Sequence, residues 1–233
     1  MARLTAVATN SGAEGFRKTH MTTQPPSLAY FLLGLIALGV LAVIGWRLAT
    51  HHFAVPCPSW LSWLLELPGA RNLQVQTLIR RLDLRLGMRV LDAGCGPGRL
   101  TVPVAQAVGL AGHVTAVDLQ PAMLQRAREK AAAAHVANVS FLQARLGAGT
   151  LEHDRFDRAL LVTVLGEIPD RKAAMKEIFD ALRSGGVLSV SEVIYDPHFQ
   201  SRGAVRKLAG RIGFRERVSF GSPLAFTINL EKP

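Results

Sequence analysis

The chain has 233 residues, an apolar fraction of 49% and a formal net charge of +10 at pH 7. This length suffices for one large domain, or for one domain with an appendage. The charge favours an anionic partner, either nucleic acid or an acidic membrane surface, or it belongs to solvated helix faces, because the basic residues are spread along the chain. The two cysteines, Cys57 and Cys95, form no CxxC pair, so they predict no metal site.

The N-terminal part divides into two segments. Residues 1–27 are small, polar and weakly patterned, and we expect them to be disordered. Residues 28–46 contain no Asp, Glu, Lys or Arg, and their length matches the hydrocarbon core of a bilayer. Tyr30 and Trp46 lie near the two ends, where aromatic side chains favour the membrane interface. The segment predicts a transmembrane helix rather than a signal peptide or a buried core helix.

A short aromatic stretch follows within residues 47–70, which we interpret as a linker. Trp60, Trp63 and Leu64 would share one face of an amphipathic helix. Such a helix either lies on the membrane surface or docks on the domain that follows. The domain itself is predicted over residues 71–233.

Within this domain, helical and strand patterns alternate. The predicted helices cover residues 73–86, 99–109, 121–135, 170–186 and 201–214, and the predicted strands cover residues 89–94, 113–119, 139–144, 156–164, 187–194, 216–222 and 224–232. Alternation of this kind indicates right-handed βαβ units and a parallel sheet, whereas the short turn before the last strand indicates an antiparallel pair. The fold class is therefore α/β: a doubly wound, Rossmann-like sheet of seven strands, mainly parallel with an antiparallel last strand, preceded by one transmembrane helix.

A glycine-rich turn follows the first strand of the domain. The segment DAGCGPG, residues 92–98, lies at the carboxyl end of that strand, where doubly wound sheets bind ligands. Its glycines allow close approach of the backbone to a ligand. A dinucleotide fingerprint would need a glycine in place of Arg99. The carboxylate of Asp92 favours a ligand with an ammonium group, and Asp118, at the end of the second strand, is placed for ribose hydroxyls.

These segments carry a resemblance to a known family. DAGCGPG and AVDLQPAML resemble the first two motifs of class I S-adenosylmethionine-dependent methyltransferases. FLQARLG agrees in form with the third, and LLVTVLGEIPDRKAAMKEIFDALRSGGVLSVSE is similar to the corresponding segment of the ubiquinone/menaquinone-type members. The resemblance covers roughly residues 73–233 and implies S-adenosyl-L-methionine as the cofactor, with no metal.

The resemblance also implies a set of site residues. Asp92 and the glycine turn should hold the methionine end of the cofactor, Asp118 should bind both ribose hydroxyls, and Leu119 should pack on the adenine. The complete cofactor-binding set is Asp92, Ala93, Gly94, Cys95, Gly96, Gly98, Asp118, Leu119, Gln143, Ala144 and Thr163. Many relatives have an acid at the position of Gln143 or Ala144, so the contact to the adenine amino group departs from the family pattern here.

The residues that would act on the acceptor also depart from the family. Relatives often have two histidines where this chain has Gly166 and Glu167. A base is needed only if the acceptor must lose a proton. Glu167 is the predicted base, with His198 and Tyr195 as alternatives. The other interpretation is that Glu167 is a solvated acid at a helix start and that His198 is an ordinary loop residue.

The predicted function is that of a membrane-anchored methyltransferase with a small, apolar or lipid-like acceptor. Its catalytic domain is expected to face the cytoplasm, where the cofactor is made. Two alternatives remain open: an RNA or protein methyltransferase, suggested by the net charge, and a catalytically silent cofactor-binding scaffold. No nucleic-acid partner is expected, because aromatic and basic residues are not interleaved in the sequence.

Overall fold

A computed structural model describes residues 28–52 and 74–233. The chain divides into two units, the first ending at Ala42 and the second beginning at Val43. In the N-terminal part, helix α1 spans Leu28–His52, so the helix continues beyond residue 46 into the predicted linker. The predictions for residues 1–27 and for Trp60 and Trp63 lie outside the described residues.

Helix α1 covers the segment for which a membrane span is predicted. Its side chains between residues 29 and 42 are exposed. Across residues 28–52 and 74–233, no helix is long and apolar enough to cross a membrane. The predicted transmembrane helix is therefore not supported.

The domain contains five further helices and seven strands among its described residues. The helices are α2 (Val75–Leu82), α3 (Thr101–Val108), α4 (Pro121–Ala133), α5 (Arg171–Ala181) and α6 (Arg202–Ile212). The strands are β1 (Arg89–Ala93), β2 (His113–Asp118), β3 (Val139–Gln143), β4 (Phe156–Val162), β5 (Leu182–Val193), β6 (Arg215–Ser222) and β7 (Ala225–Glu231). Each predicted helix and strand of the domain is present, with shifts at its ends.

The strands form one sheet in the order β3-β2-β1-β4-β5-β7-β6. Strands β1 to β5 are parallel, and β7 is antiparallel to both β5 and β6. This confirms the predicted seven-stranded Rossmann-like fold. The strand order reverses at β1 and β4, so the carboxyl ends of these two strands flank the crevice in which open α/β sheets bind ligands.

Helices cover both faces of the sheet. On one face, α2, α3 and α4 pack on β1 and β2 through side chains such as Leu78, Val104 and Leu124. On the other face, α5 and α6 pack on β4 and β5 through Ile178, Val205 and their neighbours in the largest core cluster. The parallel strands are thus buried on both faces, which is why they are near-continuous apolar runs in the sequence.

Two helices are shorter than predicted. Helix α2 ends at Leu82, because Asp83 takes a left-handed conformation with φ 50° and breaks the helical hydrogen bonding. Helix α5 ends at Ala181 rather than at residue 186, since Leu182 is already extended and pairs with Phe156 of β4. In both places the helical periodicity of the sequence continues past the end of the helix, which is a left-handed C-cap at Asp83 and strand pairing at Leu182.

Candidate functional site

The glycine turn lies between β1 and α3, as predicted. Gly94, Gly96 and Gly98 have φ angles of +74°, +52° and +79°, which side chains with a Cβ rarely adopt. The N–H groups of Gly94 and Cys95 donate to the carbonyl oxygen of Val117 at 2.8 and 2.9 Å. These bonds hold the turn against the end of β2, where Asp118 lies.

The three glycines meet different surroundings. A Cβ at Gly94 would lie 2.6 Å from the side chain of Val164, and a Cβ at Gly98 would lie 3.0 Å from the backbone of Ala127 in α4. A Cβ at Gly96 would have no neighbour within 4 Å. Gly94 and Gly98 therefore allow close packing within the protein, whereas Gly96 borders an open space at the ligand side of the turn.

Asp92 provides a buried carboxylate at the end of β1. It is buried, and its Oδ2 accepts a hydrogen bond from Oγ1 of Thr101 at 2.6 Å. Burial raises the pKa of Asp92 to about 6, while the Thr101 hydroxyl opposes the shift and the charge of Asp118 adds to it. A cationic group bound next to this carboxylate would stabilise its charged form, which is what an ammonium-bearing ligand supplies.

Asp118 faces the glycine turn from the end of β2. Its Oδ2 accepts the N–H of Gly96 and its Oδ1 accepts the N–H of Gln120, both at 2.9 Å. Burial raises the pKa of Asp118, and these backbone donors oppose the shift. Each carboxylate oxygen keeps a further lone pair, so the rigidly held carboxylate can accept two hydroxyl groups of a ribose.

The residues predicted for the adenine end are brought together beside Asp118. The side chain of Leu119 is 43% exposed and available for packing on a ring. Nε2 of Gln143, an exposed residue, donates to the carbonyl oxygen of Leu119 at 3.4 Å, and the N–H of Ala144 donates to the carbonyl oxygen of Asp118 at 3.2 Å. The amide of Gln143 is thus the polar side chain at this end of the site.

The remaining residues of the predicted cofactor-binding set stabilise the glycine turn by packing and by hydrogen bonds. Ala93 is buried in the main core, and Cys95 packs against Ala116 and Leu124. Burial raises the pKa of the Cys95 thiol, so it is a neutral packing residue. Thr163 follows β4 with φ +54° and donates its N–H to the carbonyl oxygen of Ser191 at 2.9 Å, fixing the chain that carries Val164 against Gly94.

The predicted acceptor residues lie at the ends of β4 and β5. Glu167 is half-buried and ends a short 3-10 helix, Leu165–Glu167, that follows β4. A Cβ at Gly166 would lie 1.8 Å from the carbonyl oxygen of His198, so only glycine allows the loop after β5 to close on this turn. The side chain of His198 is 8% exposed, whereas Tyr195 is 61% exposed. His198 is therefore not a solvated loop residue.

Two buried glutamates were missed by the sequence analysis. Glu192 of β5 is 1% exposed and accepts the N–H of Gln200 at 3.2 Å. Glu177 of α5 accepts the backbone N–H groups of Gly147, Thr150 and Leu151, and so holds the loop between β3 and β4. An acid inside the apolar run VLSVSEV was the available signal for Glu192, but Glu177 lies on an ordinary amphipathic helix.

Comparison with known proteins assigns this architecture to a family. A family model described as "Methyltransferase domain" matches residues 84–209, which include the glycine turn, Asp118 and the acceptor-side residues. A solved S-adenosylmethionine-dependent methyltransferase from Aquifex aeolicus superposes with a TM-score of 0.69 at 19% identity, covering 76% of this chain and all of that one. The [4+2]-cyclase SpnF superposes with a TM-score of 0.57 at 21% identity, covering 63% of this chain and 57% of that one. These likenesses show the fold.

Curated relatives match about half of the chain. A ubiquinone/menaquinone biosynthesis C-methyltransferase of Vibrio vulnificus is 35% identical over 117 residues, which is 48% of this chain and 45% of the relative. A demethylmenaquinone methyltransferase of Staphylococcus aureus is 32% identical over 111 residues, with the same two coverages of 48% and 45%. The chain thus spans about half the length of the curated relatives that it matches.

The site fits the methyl donor of this family. The cofactor carries an ammonium group, a ribose and an adenine. These need, respectively, a carboxylate, an acceptor of hydrogen bonds from the ribose hydroxyls and an apolar contact. Asp92, Asp118 and Leu119 supply these three groups in that order near Gly96. The chain therefore belongs to the methyltransferase domain family.

Proposed function

We propose that this enzyme methylates a small, apolar acceptor of the quinone type. The observation that carries the proposal is the similarity, at 32–35% identity over about half of the chain, to relatives named for ubiquinone and menaquinone biosynthesis. A cavity near the carboxyl ends of β4 and β5 is suited to an apolar acceptor, because Leu165, Val205 and Leu208 line it. A ring-shaped acceptor would find apolar contacts on one side and polar groups on the other.

Methyl transfer requires the protein mainly to position the cofactor and the acceptor. The bound cofactor supplies an activated methyl group on a sulfonium, and the protein supplies orientation and electrostatics. Asp92, held by Thr101, would bind the methionine end of the cofactor, and Asp118, held by Gly96, would bind its ribose. Where the acceptor must lose a proton, Glu167 is one group at the end of β4 that could accept it.

We further propose that the enzyme works at the cytoplasmic face of a membrane. The support is helix α1, whose exposed side chains include Tyr30, Phe31, Leu33 and Ile36. Exposed apolar surfaces of this kind mark sites of interaction with a protein or a lipid phase. A lipid-soluble acceptor would be concentrated where such a helix meets lipid.

The location is tested by vesicle flotation of the full chain. We expect the wild type to float with vesicles of phosphatidylethanolamine and phosphatidylglycerol, and the double variant Leu33→Asp/Ile36→Asp to remain in the dense fraction. Leu110→Asp is the matched control, because Leu110 is an apolar side chain of the domain that is 89% exposed. Equal flotation of the wild type and the double variant would contradict the proposed location.

The acceptor class is tested by methyl transfer from labelled S-adenosylmethionine. The full chain is incubated in vesicles with a demethylated naphthoquinol and, in parallel reactions, with RNA and with a mixture of unmodified proteins. The proposal expects label in the quinol fraction alone. Label in RNA or protein would favour the alternative suggested by the net charge of +10.

A further inference from the structure

A second polar cluster lies at the carboxyl ends of β4 and β5, separate from Asp92 and Asp118. Within the described part of the chain, three buried polar atoms of this cluster have no hydrogen-bond partner: Oε1 of Glu192, Nε2 of His198 and Nε of Arg171. Buried polar atoms in proteins are almost always paired, so a group of unpaired ones needs an explanation. A ligand that supplies the missing partners is one such explanation.

The three side chains are held together by bonds among their neighbours. Gln200 donates its N–H to Oε2 of Glu192 at 3.2 Å and its Nε2 to the carbonyl oxygen of His198 at 2.8 Å. Arg171 donates through Nη2 to the carbonyl oxygen of Gly166 at 3.2 Å, and Gly166 lies directly against the backbone of His198. The unpaired atoms therefore come from three elements fixed around one place.

A cavity of about 260 Å³ adjoins the cluster between α5 and α6. Arg171 and Gln200 form its polar part, and Leu165, Ala204, Val205 and Leu208 form its apolar part. This volume is close to the lower end of the range for small-molecule pockets. Apolar walls with a few converging polar groups are typical of sites that bind small molecules.

We propose that Glu192, His198 and Arg171 bind an oxygen substituent of the acceptor, a hydroxyl or a carbonyl on an aromatic ring that occupies this cavity. The inference rests on the proposed function, since it assigns the polar end of the acceptor site. Arg171 donates through Nε to the oxygen. The carboxyl group of Glu192 donates to a carbonyl when protonated and accepts from a hydroxyl when ionised.

The electrostatics of the cluster agree with this role. Burial raises the pKa of Glu192 to about 8, the charges of Asp196 and Glu167 add to the shift, and the N–H of Gln200 and the charge of Arg171 oppose it. Burial lowers the pKa of His198, and the charge of Asp196 opposes that shift. Near neutral pH the carboxyl group of Glu192 thus exchanges readily between donor and acceptor forms.

A purely structural role predicts a different behaviour. Oε2 of Glu192 ties the loop after β5 to the strand through Gln200, and this contact alone would support the cavity for any ring. Removing it would weaken binding of every ring to the same extent. Selective binding of rings that carry oxygen therefore distinguishes the proposed role from loop closure.

The test uses two probes, 1,4-dihydroxynaphthalene and naphthalene, which share the rings and differ in the oxygens. Dissociation constants for the full chain are measured by equilibrium dialysis under anaerobic conditions, with and without S-adenosylhomocysteine. We expect the wild type to bind the diol at least tenfold more tightly than naphthalene. We expect Glu192→Gln to lose at least tenfold in affinity for the diol and less than twofold for naphthalene.

Matched variants keep the test decisive. Arg171→Lys retains the charge without Nε and should lose affinity in the same selective way, so the inference stays testable if Glu192→Gln fails to fold. Glu216→Gln, at an exposed pair with Arg206, should behave as the wild type. Equal losses for both probes in both site variants, no preference of the wild type for the diol, or no binding of the diol would overturn the inference.

The outcomes also separate this inference from the proposed function. Failure of the wild type to bind S-adenosylhomocysteine counts against the methyl-donor site, and the diol can still be titrated onto the cofactor-free protein. Normal cofactor binding with a diol affinity that does not depend on Glu192 counts against the acceptor subsite alone.

Discussion

The carboxyl edge of the sheet has two ends that are built differently. At the cofactor end, Asp92 and Asp118 accept hydrogen bonds from Thr101, Gly96 and Gln120, so both carboxylates are fixed in place. At the proposed acceptor end, Glu192, His198 and Arg171 each have a buried polar atom that finds no hydrogen-bond partner within residues 28–52 and 74–233.

The difference is one of preorganisation. A carboxylate that its own chain orients can bind an unvarying cofactor with little further ordering. Polar atoms left unpaired in a cavity are satisfied only by a ligand of matching chemistry, so they contribute to the choice of acceptor. We therefore expect changes at the first end to alter cofactor affinity and changes at the second to alter acceptor selectivity.

The largest effect is expected for Asp92→Asn. This change removes the negative charge that faces the cofactor's ammonium group, and a hydrogen bond to a charged group contributes about 1.5–3 kcal/mol. Affinity for S-adenosylmethionine should fall by roughly 10- to 150-fold in calorimetric titration. Asp157→Asn is the control, since Asp157 is also buried but accepts the backbone N–H of Arg89 and pairs with the side chain of Arg183 at the opposite edge of the sheet. An equal loss in the control would show that the effect is not specific to the cofactor end.

Next in size is a contrast between two glycines of the same turn. In Gly98→Ala the new Cβ meets the backbone of Ala127 at 3.0 Å with φ at +79°, so the folded state should lose about 1–3 kcal/mol of stability. In Gly96→Ala the backbone is also strained, with φ at +52°, but the new Cβ meets open space, so stability should fall less than in Gly98→Ala and cofactor affinity should fall more. Thermal unfolding and calorimetry of both variants check this. A larger loss of cofactor affinity in Gly98→Ala would invert the assignment.

The pH dependence of cofactor binding should follow Asp92. Its pKa lies near 6 in the free protein because burial disfavours the charge, and the bound ammonium group favours the charge. Binding then requires loss of a proton below pH 6, so affinity should fall by roughly tenfold between pH 7 and pH 5. Titrations across this range should show the fall in the wild type and a flat profile in Asp92→Asn. A flat wild-type profile would contradict the role of Asp92.

The smallest effect is expected from Glu177→Gln. Glu177 accepts three backbone N–H groups of the loop between β3 and β4, and the amide of glutamine presents a donor to one of them. Weakening these bonds should cost about 1 kcal/mol, which corresponds to a fall in Tm of roughly 2–4 °C. Cofactor affinity should change by less than the Asp92 variant changes it. An unchanged Tm would show that the loop does not depend on this carboxylate.

The fold and the cofactor end could be predicted because their signals are local. The apolar runs predicted the strands of the sheet, and the glycine spacing that defines the turn lies within one contiguous segment, residues 92–98. Asp118 was identifiable because it ends the next strand. The predicted ends of α2 and α5 were wrong, because periodicity shows neither the left-handed C-cap at Asp83 nor the pairing of Leu182 with β4.

The acceptor end could not be predicted because its members meet only in the folded chain. Arg171, Glu192 and His198 belong to a helix, a strand and a loop, and no common spacing relates them. In the sequence, Gly166 stands where relatives often have a histidine. The structure shows that the backbone of His198 occupies the space that a side chain at residue 166 would need. A buried acid inside an apolar strand, such as Glu192, is the kind of residue that sequence patterns assign to packing.

Calorimetric titration of S-adenosylmethionine into the full chain and into Asp118→Ala tests the central claim most directly. Asp118 holds the N–H of Gly96 and faces the space assigned to the ribose, so the wild type should bind with 1:1 stoichiometry and the variant at least tenfold more weakly. Absence of binding to the wild type, or equal affinity in the variant, would contradict the assignment of this turn as the methyl-donor site.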